Sequence, residues 1–226
     1  MSKQRRSATS HASWDDHAIA DLITKERLRS YLAVTRTESE ALRLYEWNGR
    51  AAAATLQTIA MVEVIVRNAL DRELIDWAKR KSPRATWFDV VPLDARGLAD
   101  VADARRRATR YGKLPEHHGK VIAELSFGFW RYLTASRYLA ALWVPALHHA
   151  FPFGPSDLRV RREAVERHLH DLGFLRNRAA HHEPIHHRNL TVDLDAAVEL
   201  GEWVSPDAGA WIAAQASLRA AIIDHP

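Results

Sequence analysis

Residues 37–77 read TESEALRLYEWNGRAAAATLQTIAMVEVIVRNALDRELIDW. The segment is rich in Ala, Leu, Glu and Arg, and its apolar residues recur three and four positions apart, as on one face of an α-helix. Only Asn48-Gly49 interrupts this pattern, which allows either one kinked helix or two helices in series. No segment shows the apolar-polar alternation that is typical of a strand. The sequence therefore predicts an all-α helical bundle.

Helical patterns also cover most of the chain beyond Pro83. Ser205 precedes Pro206, which is the order of a helix cap and a first helical residue. The predicted helices span residues 94–111, 116–124, 127–136, 138–150, 155–183, 193–203 and 206–223. With 226 residues, of which 47% are hydrophobic, the chain is long enough to bury a sizeable core. We expect a single helical domain over residues 21–226.

Residues 1–20 are predicted to form a basic, flexible N-terminal arm. Lys3, Arg5 and Arg6 stand there among Ser and Thr, without the apolar stretch of a signal peptide. The richest apolar stretch, residues 138–151, is too short to span a bilayer. The chain has no cysteine, which excludes disulfides and thiolate chemistry. These features predict a cytoplasmic protein that does not associate with membranes.

Charge is unevenly distributed along the chain. Residues 191–226 hold one basic and six acidic residues, so residues 1–190 carry a net +9 within the total of +4. Clustered arginines could contact the phosphates of RNA, and the alternative is a solvated helix face on which they pair with Asp and Glu. The first cluster comprises Arg105, Arg106, Arg107 and Arg110, and the second comprises Arg159, Arg161, Arg162 and Arg167.

The segment 175–184 reads LRNRAAHHEP and carries the main candidate for chemistry. On a helix, Asn177 and His181 lie four residues apart on one face, and Arg176 can reach round from beside them. A guanidinium can neutralise a phosphate, an imidazole can transfer a proton near neutral pH, and an amide can orient either group. Because Pro184 restricts the residue before it, the helix should end near His182 or Glu183.

This segment resembles the Arg-x4-6-His motif of the HEPN ribonuclease superfamily, in particular its Abi-like branch. The similarity covers most of residues 25–215 and includes, in order, residues 28–32, 41–48, 62–70 and 125–130. It implies a metal-independent endoribonuclease in which an RNA 2′-hydroxyl attacks its own adjacent phosphate. It also implies a homodimer, no cofactor, and a role as the toxic effector of an abortive-infection or toxin-antitoxin system, restrained by a regulatory RNA or a protein antitoxin.

The resemblance assigns roles to individual residues. Arg176 would stabilise the charged phosphate, His181 would transfer a proton, and Asn177 would orient one of them. His182 also fits the motif spacing and is the alternative to His181, while Arg178 is a further candidate for contacting RNA. Each residue also has a possible structural role without catalysis. Arg176 could form a surface ion pair, His181 could cap the C-terminus of its helix, and Asn177 could be an exposed polar residue.

Glu63, Arg67 and Asn68 form a second group with a candidate role. Glu63 and Arg67 are one helical turn apart among apolar residues, so they either form an ordinary ion pair or help to build the pocket around Arg176. Six histidines between residues 168 and 187 suggest a metal, but their spacing is poor and we expect no metal site.

Eight tryptophans could serve the core or stack on bases. Trp14 and Trp87 are the candidates for contacting bases, whereas the others lie at helical spacing from apolar residues and should be buried: Trp47, Trp77, Trp130, Trp143, Trp203 and Trp211.

Two functions of other classes compete with the ribonuclease. The chain could be a non-catalytic RNA-binding module that holds a regulatory RNA on its basic face. It could also be a helical bundle for protein interaction, with its arginine and histidine at an interface.

Overall fold

The computed structural model describes residues 14–226, and every regular element in that part of the chain is helical. The all-α prediction is therefore confirmed. The helices are α1 Asp16–Ile23, α2 Lys25–Leu32, α3 Glu38–Lys81, α4 Trp87–Val90, α5 Ala95–Ala108, α6 His118–Glu124, α7 Phe127–Leu133, α8 Leu158–Ala180, α9 Leu190–Val204, α10 Pro206–Gln215 and α11 Leu218–Ile223. Between α7 and α8 lie two 3-10 turns, Ser136–Tyr138 and Leu147–Ala150, and a π-helical turn, Leu139–Trp143.

Helix α3 is the axis of the bundle. Its 44 residues run without a break through Asn48-Gly49, so the alternative of two helices in series is wrong. A helix of this length extends about 66 Å. Thr37 caps its start by accepting a hydrogen bond from the Glu40 amide at 3.1 Å, and it ends before Ser82-Pro83. It packs against α1, α2, α4, α7, α8, α9, α10 and α11.

By length and composition alone, α3 is apolar enough to cross a membrane, and it is the one such helix within residues 14–226. A central helix of a bundle passes the same test, and α3 contacts eight other helices here. The apolar stretch of α3 is thus weak grounds for a membrane span.

Tryptophans form much of the core. Trp47, Trp87, Trp130 and Trp143 are fully buried. The prediction that Trp87 contacts bases is wrong, because its ring is enclosed and its Nε1–H donates to Asp71 Oδ1 at 2.7 Å. The list of core tryptophans is wrong for Trp211, which is half-exposed. Trp14 is also half-exposed, and its contact with bases stays a prediction.

Several predicted helix boundaries differ from the structure, and three of the differences change the description of a segment. Helix α1 begins at Asp16, so residues 16–20 of the predicted arm are helical; residues 1–13 of that arm lie outside the described residues. Residues 138–150 form tight turns around Pro145, rather than an α-helix. Residues 206–223 form two helices, because α10 ends at Ala216 in an extended conformation.

Helix α8 positions the Arg-x4-His segment. It buries one stripe of apolar side chains, at residues 165, 169, 172, 175 and 179, and packs against α3, α7 and α9. The spacing of this stripe is that of one helical face. Arg176 and Asn177, the two residues directly after a stripe position, therefore project away from the core, and both are exposed.

Candidate active site

A tight turn at the end of α8 sets the position of the motif histidines. The helix ends at Ala180, and His182 has a left-handed conformation with φ +58°. The His182 amide donates to the Ala179 carbonyl at 3.2 Å, and the Glu183 amide donates to the Arg178 carbonyl at 2.8 Å. This pair of bonds is a Schellman motif, which usually has glycine at the left-handed position. The helix thus ends before both histidines and earlier than Pro184 alone predicts.

The turn after α8 is held by side chains from three helices. Asn48 Oδ1, on α3, accepts from the Ile185 and His186 amides at 2.7 and 3.1 Å, and Arg27, on α2, donates to the His182 carbonyl. Buried Asn48 therefore has a structural role, which is why this polar residue is tolerated inside a packed helix.

Arg178 belongs to the same scaffold. Its Nη2 and Nε donate to the Pro184 carbonyl at 2.7 and 3.2 Å, and its Nη1 lies 3.0 Å from Glu183 Oε2. With this geometry the half-buried guanidinium fixes the turn. Its donors are already used within the chain, and its contact with RNA stays a prediction.

Arg176 and Asn177 open into a cleft of about 520 Å³ between α3, α7 and α8. The base of the cleft is apolar, and Gly173 permits close packing there, since a Cβ on it would meet the Phe127 ring at 3.3 Å. The polar side chains that line the cleft are Glu63, Glu124, Ser126, Arg131, His170, Arg176 and Asn177.

Two guanidiniums in this cleft lack acidic partners. Arg176 Nη1 donates to Asn177 Oδ1 at 3.4 Å, and neither Arg176 nor Arg131 has a carboxylate within 4 Å among residues 14–226. His170 also faces the cleft, with its Nδ1 3.1 Å from Asp171 Oδ1. Among the described residues, the cleft thus presents two guanidiniums without ion-pair partners, an amide and an imidazole, beside the carboxyl groups of Glu63 and Glu124.

Glu63 adds a carboxyl group to the cleft. Burial raises its pKa, and the positive charges of Arg176 and Arg67 oppose that rise. No ion pair joins Glu63 to Arg67 within 4 Å; Arg67 Nε instead donates to Asn68 Oδ1 at 3.3 Å. The structure brings Glu63 to Arg176, as the pocket interpretation expects. Arg67 and Asn68 are not among the cleft residues.

The motif histidines are separate from the cleft. His181 and His182 are exposed in the turn beyond α8, and neither lines the cleft that Arg176 and Asn177 enter. Sequence reasoning missed Arg131 and His170 as cleft residues. Arg131 could have been suspected because it directly follows the segment 125–130, which resembles the family. For His170, the one indication was its position about two turns before Arg176 on the same predicted helix.

The first basic cluster is mostly neutralised within the chain. Arg105 lies 3.1 Å from Asp89 and 3.3 Å from Glu116, Arg106 pairs with Asp103 at 2.8 Å, and Arg107 pairs with Glu124 at 2.9 Å. These pairs favour the alternative of a solvated face with ion pairs for the three residues, and their contact with RNA stays a prediction. Arg110 is exposed after the end of α5 and stays a candidate.

Within residues 14–226, no group of three or more His, Asp or Glu side chains is placed to hold a metal ion. His168, for example, pairs with Glu199 at 2.8 Å. No family model, curated protein or solved structure matches the chain.

Proposed function

We propose that the protein is a metal-independent endoribonuclease and that the cleft beside Arg176 binds the phosphate that is cleaved. The observation that carries this proposal is the presence of two guanidiniums, Arg131 and Arg176, without acidic partners in one cleft that also holds Asn177 and an imidazole. A guanidinium with free donors binds phosphate oxygens in a bidentate manner. The likeness of residues 175–184 to the HEPN motif supports the same function.

The reaction would be an internal transesterification of RNA. The 2′-oxygen forms a bond to phosphorus while the bond from phosphorus to the 5′-oxygen breaks. A base takes the proton of the 2′-hydroxyl, and an acid gives a proton to the departing 5′-oxygen. The products are a 2′,3′-cyclic phosphate and a 5′-hydroxyl. Arg176 and Arg131 would stabilise the charge that develops on the phosphate oxygens.

Two imidazoles compete for the proton transfer. His170 shares the cleft with Arg176, whereas His181 has the motif spacing but lies in the exposed turn. Within one chain, geometry favours His170. His181 would act if a second copy of the chain placed its exposed turn at this cleft, so we propose a homodimer with a composite site as the form that uses His181.

The proposed cellular role rests on the resemblance alone. A ribonuclease of this kind would act in the cytoplasm as the toxic effector of an abortive-infection or toxin-antitoxin system. A regulatory RNA or a protein antitoxin would restrain it. Growth arrest on expression of the wild type, but not of Arg176→Ala, is the expected result.

The direct test is cleavage of a defined RNA by the purified protein in excess EDTA, with chemical mapping of the ends. We expect 2′,3′-cyclic phosphate and 5′-hydroxyl ends, and no cleavage of the all-deoxy version of the same sequence. Strict dependence on a divalent ion, or cleavage of the deoxy strand, would contradict the mechanism.

Histidine variants identify the proton carrier. If His170→Ala loses RNA cleavage and His181→Ala keeps full activity, the proton carrier is the imidazole in the cleft. If His181→Ala loses cleavage and His170→Ala keeps it, the proton carrier is the histidine in the turn after α8. If His181→Ala is inactive, mixing it with Arg176→Ala should restore part of the activity in a composite dimer, because one intact arginine and one intact histidine then meet at the same phosphate.

A second function is favoured by the separation of the motif histidines from the cleft. A cleft that binds phosphate without a placed proton carrier would make the protein an RNA-binding module. Retention of RNA by the wild type, loss of retention in Arg176→Ala, and no change in the RNA ends would support this alternative over the ribonuclease.

A further inference from the structure

A second cavity, of about 620 Å³, lies at the start of α3 and shares no lining residue with the cleft. It is formed by the α2–α3 loop, the first turns of α3, the turn after α8 and the C-terminal residues. Its lining residues are Val34, Thr35, Arg36, Glu40, Arg43, Leu44, His186, His187, His225 and Pro226. Its volume is in the range of cavities that bind small molecules.

The polar groups of this cavity are mainly cationic or able to become so. Arg36 and Arg43 are exposed, and neither has a carboxylate within 4 Å of its guanidinium among the described residues. Glu40 is the acidic side chain of the lining, and its Oε2 accepts from the Arg36 backbone amide at 2.8 Å. Three imidazoles complete the wall, and one of them, His225, has its Nδ1 2.9 Å from the Pro226 backbone oxygen.

His186 is a buried donor without a partner. Its Nε2 is enclosed and has no hydrogen-bond partner within residues 14–226, although such atoms are normally paired. Its ring packs on Tyr31 with the centroids 4.8 Å apart, and the Tyr31 hydroxyl is likewise buried without a partner. Burial and the nearby His187 and His225 lower the pKa of His186, an effect that a bound anion would reverse.

We propose that this cavity binds a phosphate monoester. Arg36 and Arg43 would hold the phosphate, with the imidazoles of the wall as further donors. The apolar side chains of Val34 and Leu44 would contact the rest of the ligand. A phosphate monoester is present both in a free nucleotide and at the 5′ end of an RNA strand. The ligand would sit against His186 and His187, in the turn whose first residues are the motif histidines.

The primary test is calorimetric titration with AMP, and with adenosine as the control that lacks the phosphate. We expect saturable binding of AMP and none of adenosine. The double variant Arg36→Gln/Arg43→Gln should weaken AMP binding at least tenfold. Arg84→Gln, at an exposed arginine outside both cavities, should leave it unchanged. Both arginines are exposed, so the double variant should fold normally.

A second experiment distinguishes a free nucleotide from the 5′ end of a nucleic-acid strand as the source of the phosphate. It compares the binding of one deoxy-oligonucleotide with and without a 5′-phosphate. The proposed reaction cannot cleave a deoxy strand. Tighter binding of the 5′-phosphorylated strand, lost in the double variant, assigns the cavity to a nucleic-acid end; binding of AMP alone assigns it to a free nucleotide. Absence of binding for both phosphorylated probes, or equal binding by the double variant, would overturn the proposal. Neither measurement depends on cleavage, so failure of the proposed ribonuclease activity would leave this test valid.

Discussion

The two ends of α8 carry arginines with opposite environments. At the N-terminal end, Arg161 is buried and donates to the Pro155, His148 and Gly154 carbonyls at 2.6, 3.2 and 3.3 Å. Arg162 is also buried, and donates to the Thr134 carbonyl at 3.0 Å and to Glu166 at 2.5 Å. At the C-terminal end, Arg176 is exposed in a cleft, and among residues 14–226 its side chain has only the Asn177 side chain as a partner.

This difference shows that an arginine's partners, more than its position in a basic run, decide whether its donors are free. The prediction that the cluster of Arg159, Arg161, Arg162 and Arg167 forms an RNA footprint is wrong for Arg161 and Arg162, whose donors are used within the chain. A buried guanidinium requires such partners, because a buried charge without them is strongly destabilising.

The largest expected change in stability follows from removing a buried arginine. Arg162→Ala leaves the Thr134 carbonyl and Glu166 without their partner and should lower the free energy of unfolding by about 3 kcal/mol. Urea denaturation measures it. Arg159→Ala, at an exposed position one turn earlier, is the control and should change stability by less than about 0.5 kcal/mol. Equal effects of the two variants would mean that the buried bonds of Arg162 contribute nothing.

Removal of Arg178 should destabilise the protein less than removal of Arg162, but more than removal of Arg176. Arg178→Ala removes the bonds to the Pro184 carbonyl and the contact with Glu183, and should cost about 1.5 kcal/mol of unfolding free energy. Arg176→Ala, two residues earlier, should cost less than about 0.5 kcal/mol. If Arg176→Ala is the more destabilising of the two, Arg176 has a structural role that its exposed position does not indicate.

Substitution of the left-handed residue at the end of α8, His182, by glycine should stabilise the protein instead of destabilising it. His182→Gly should raise the free energy of unfolding by about 0.5–1 kcal/mol, because glycine adopts φ +58° without a steric penalty. His182→Ala removes the imidazole but keeps a Cβ, so it should give no such gain. Cleavage by both variants, beside the wild type, also tests the alternative role of His182. Equal stability of the glycine and alanine variants would show that this turn is not strained.

The smallest effect concerns Glu63, whose raised pKa makes stability depend on pH. A carboxyl with a folded-state pKa above its ordinary value of 4.5 is less stable ionised in the folded protein than in the unfolded chain. The cost in folding stability of ionising Glu63 is absent well below pH 4.5. It develops as the pH rises and is complete above the folded-state pKa. The wild type should therefore lose stability relative to Glu63→Gln as the pH rises through and above 4.5. A pH-independent difference between the two proteins would contradict the burial of this group.

The sequence was sufficient for the fold class, and it singled out two of the residues that the structure places in the cleft. The periodicity of residues 37–77 predicts α3, and the motif spacing identifies Arg176 and Asn177, because both signals are local in the chain. Arg131 could not be placed in the cleft, since it reaches this site only through the packing of α7 on α8. His170 precedes Arg176 on the same helix, but the sequence does not show which faces of α8 border a cleft.

The end of α8 was also beyond sequence reasoning. A histidine seldom adopts a left-handed conformation, so nothing at His182 indicated a Schellman turn. The ion pairs of Arg105 and Arg107 depend on Glu116 and Glu124, which are distant in sequence and near only in the folded chain. Partners of this kind determine which charges are available to a ligand.

The most direct test of the central claim is the rate of RNA cleavage by Arg176→Ala beside the wild type and Arg84→Ala, each in excess EDTA. If the cleft guanidinium stabilises the charged phosphate, Arg176→Ala should cleave about 10²- to 10³-fold more slowly, with an unfolding free energy within about 0.5 kcal/mol of the wild type. Arg84 is exposed in the loop after α3, outside the cleft, so Arg84→Ala should cleave at the wild-type rate. Cleavage by Arg176→Ala within about twofold of the wild type, well below the expected 10²-fold loss, would contradict the assignment of this cleft as the active site.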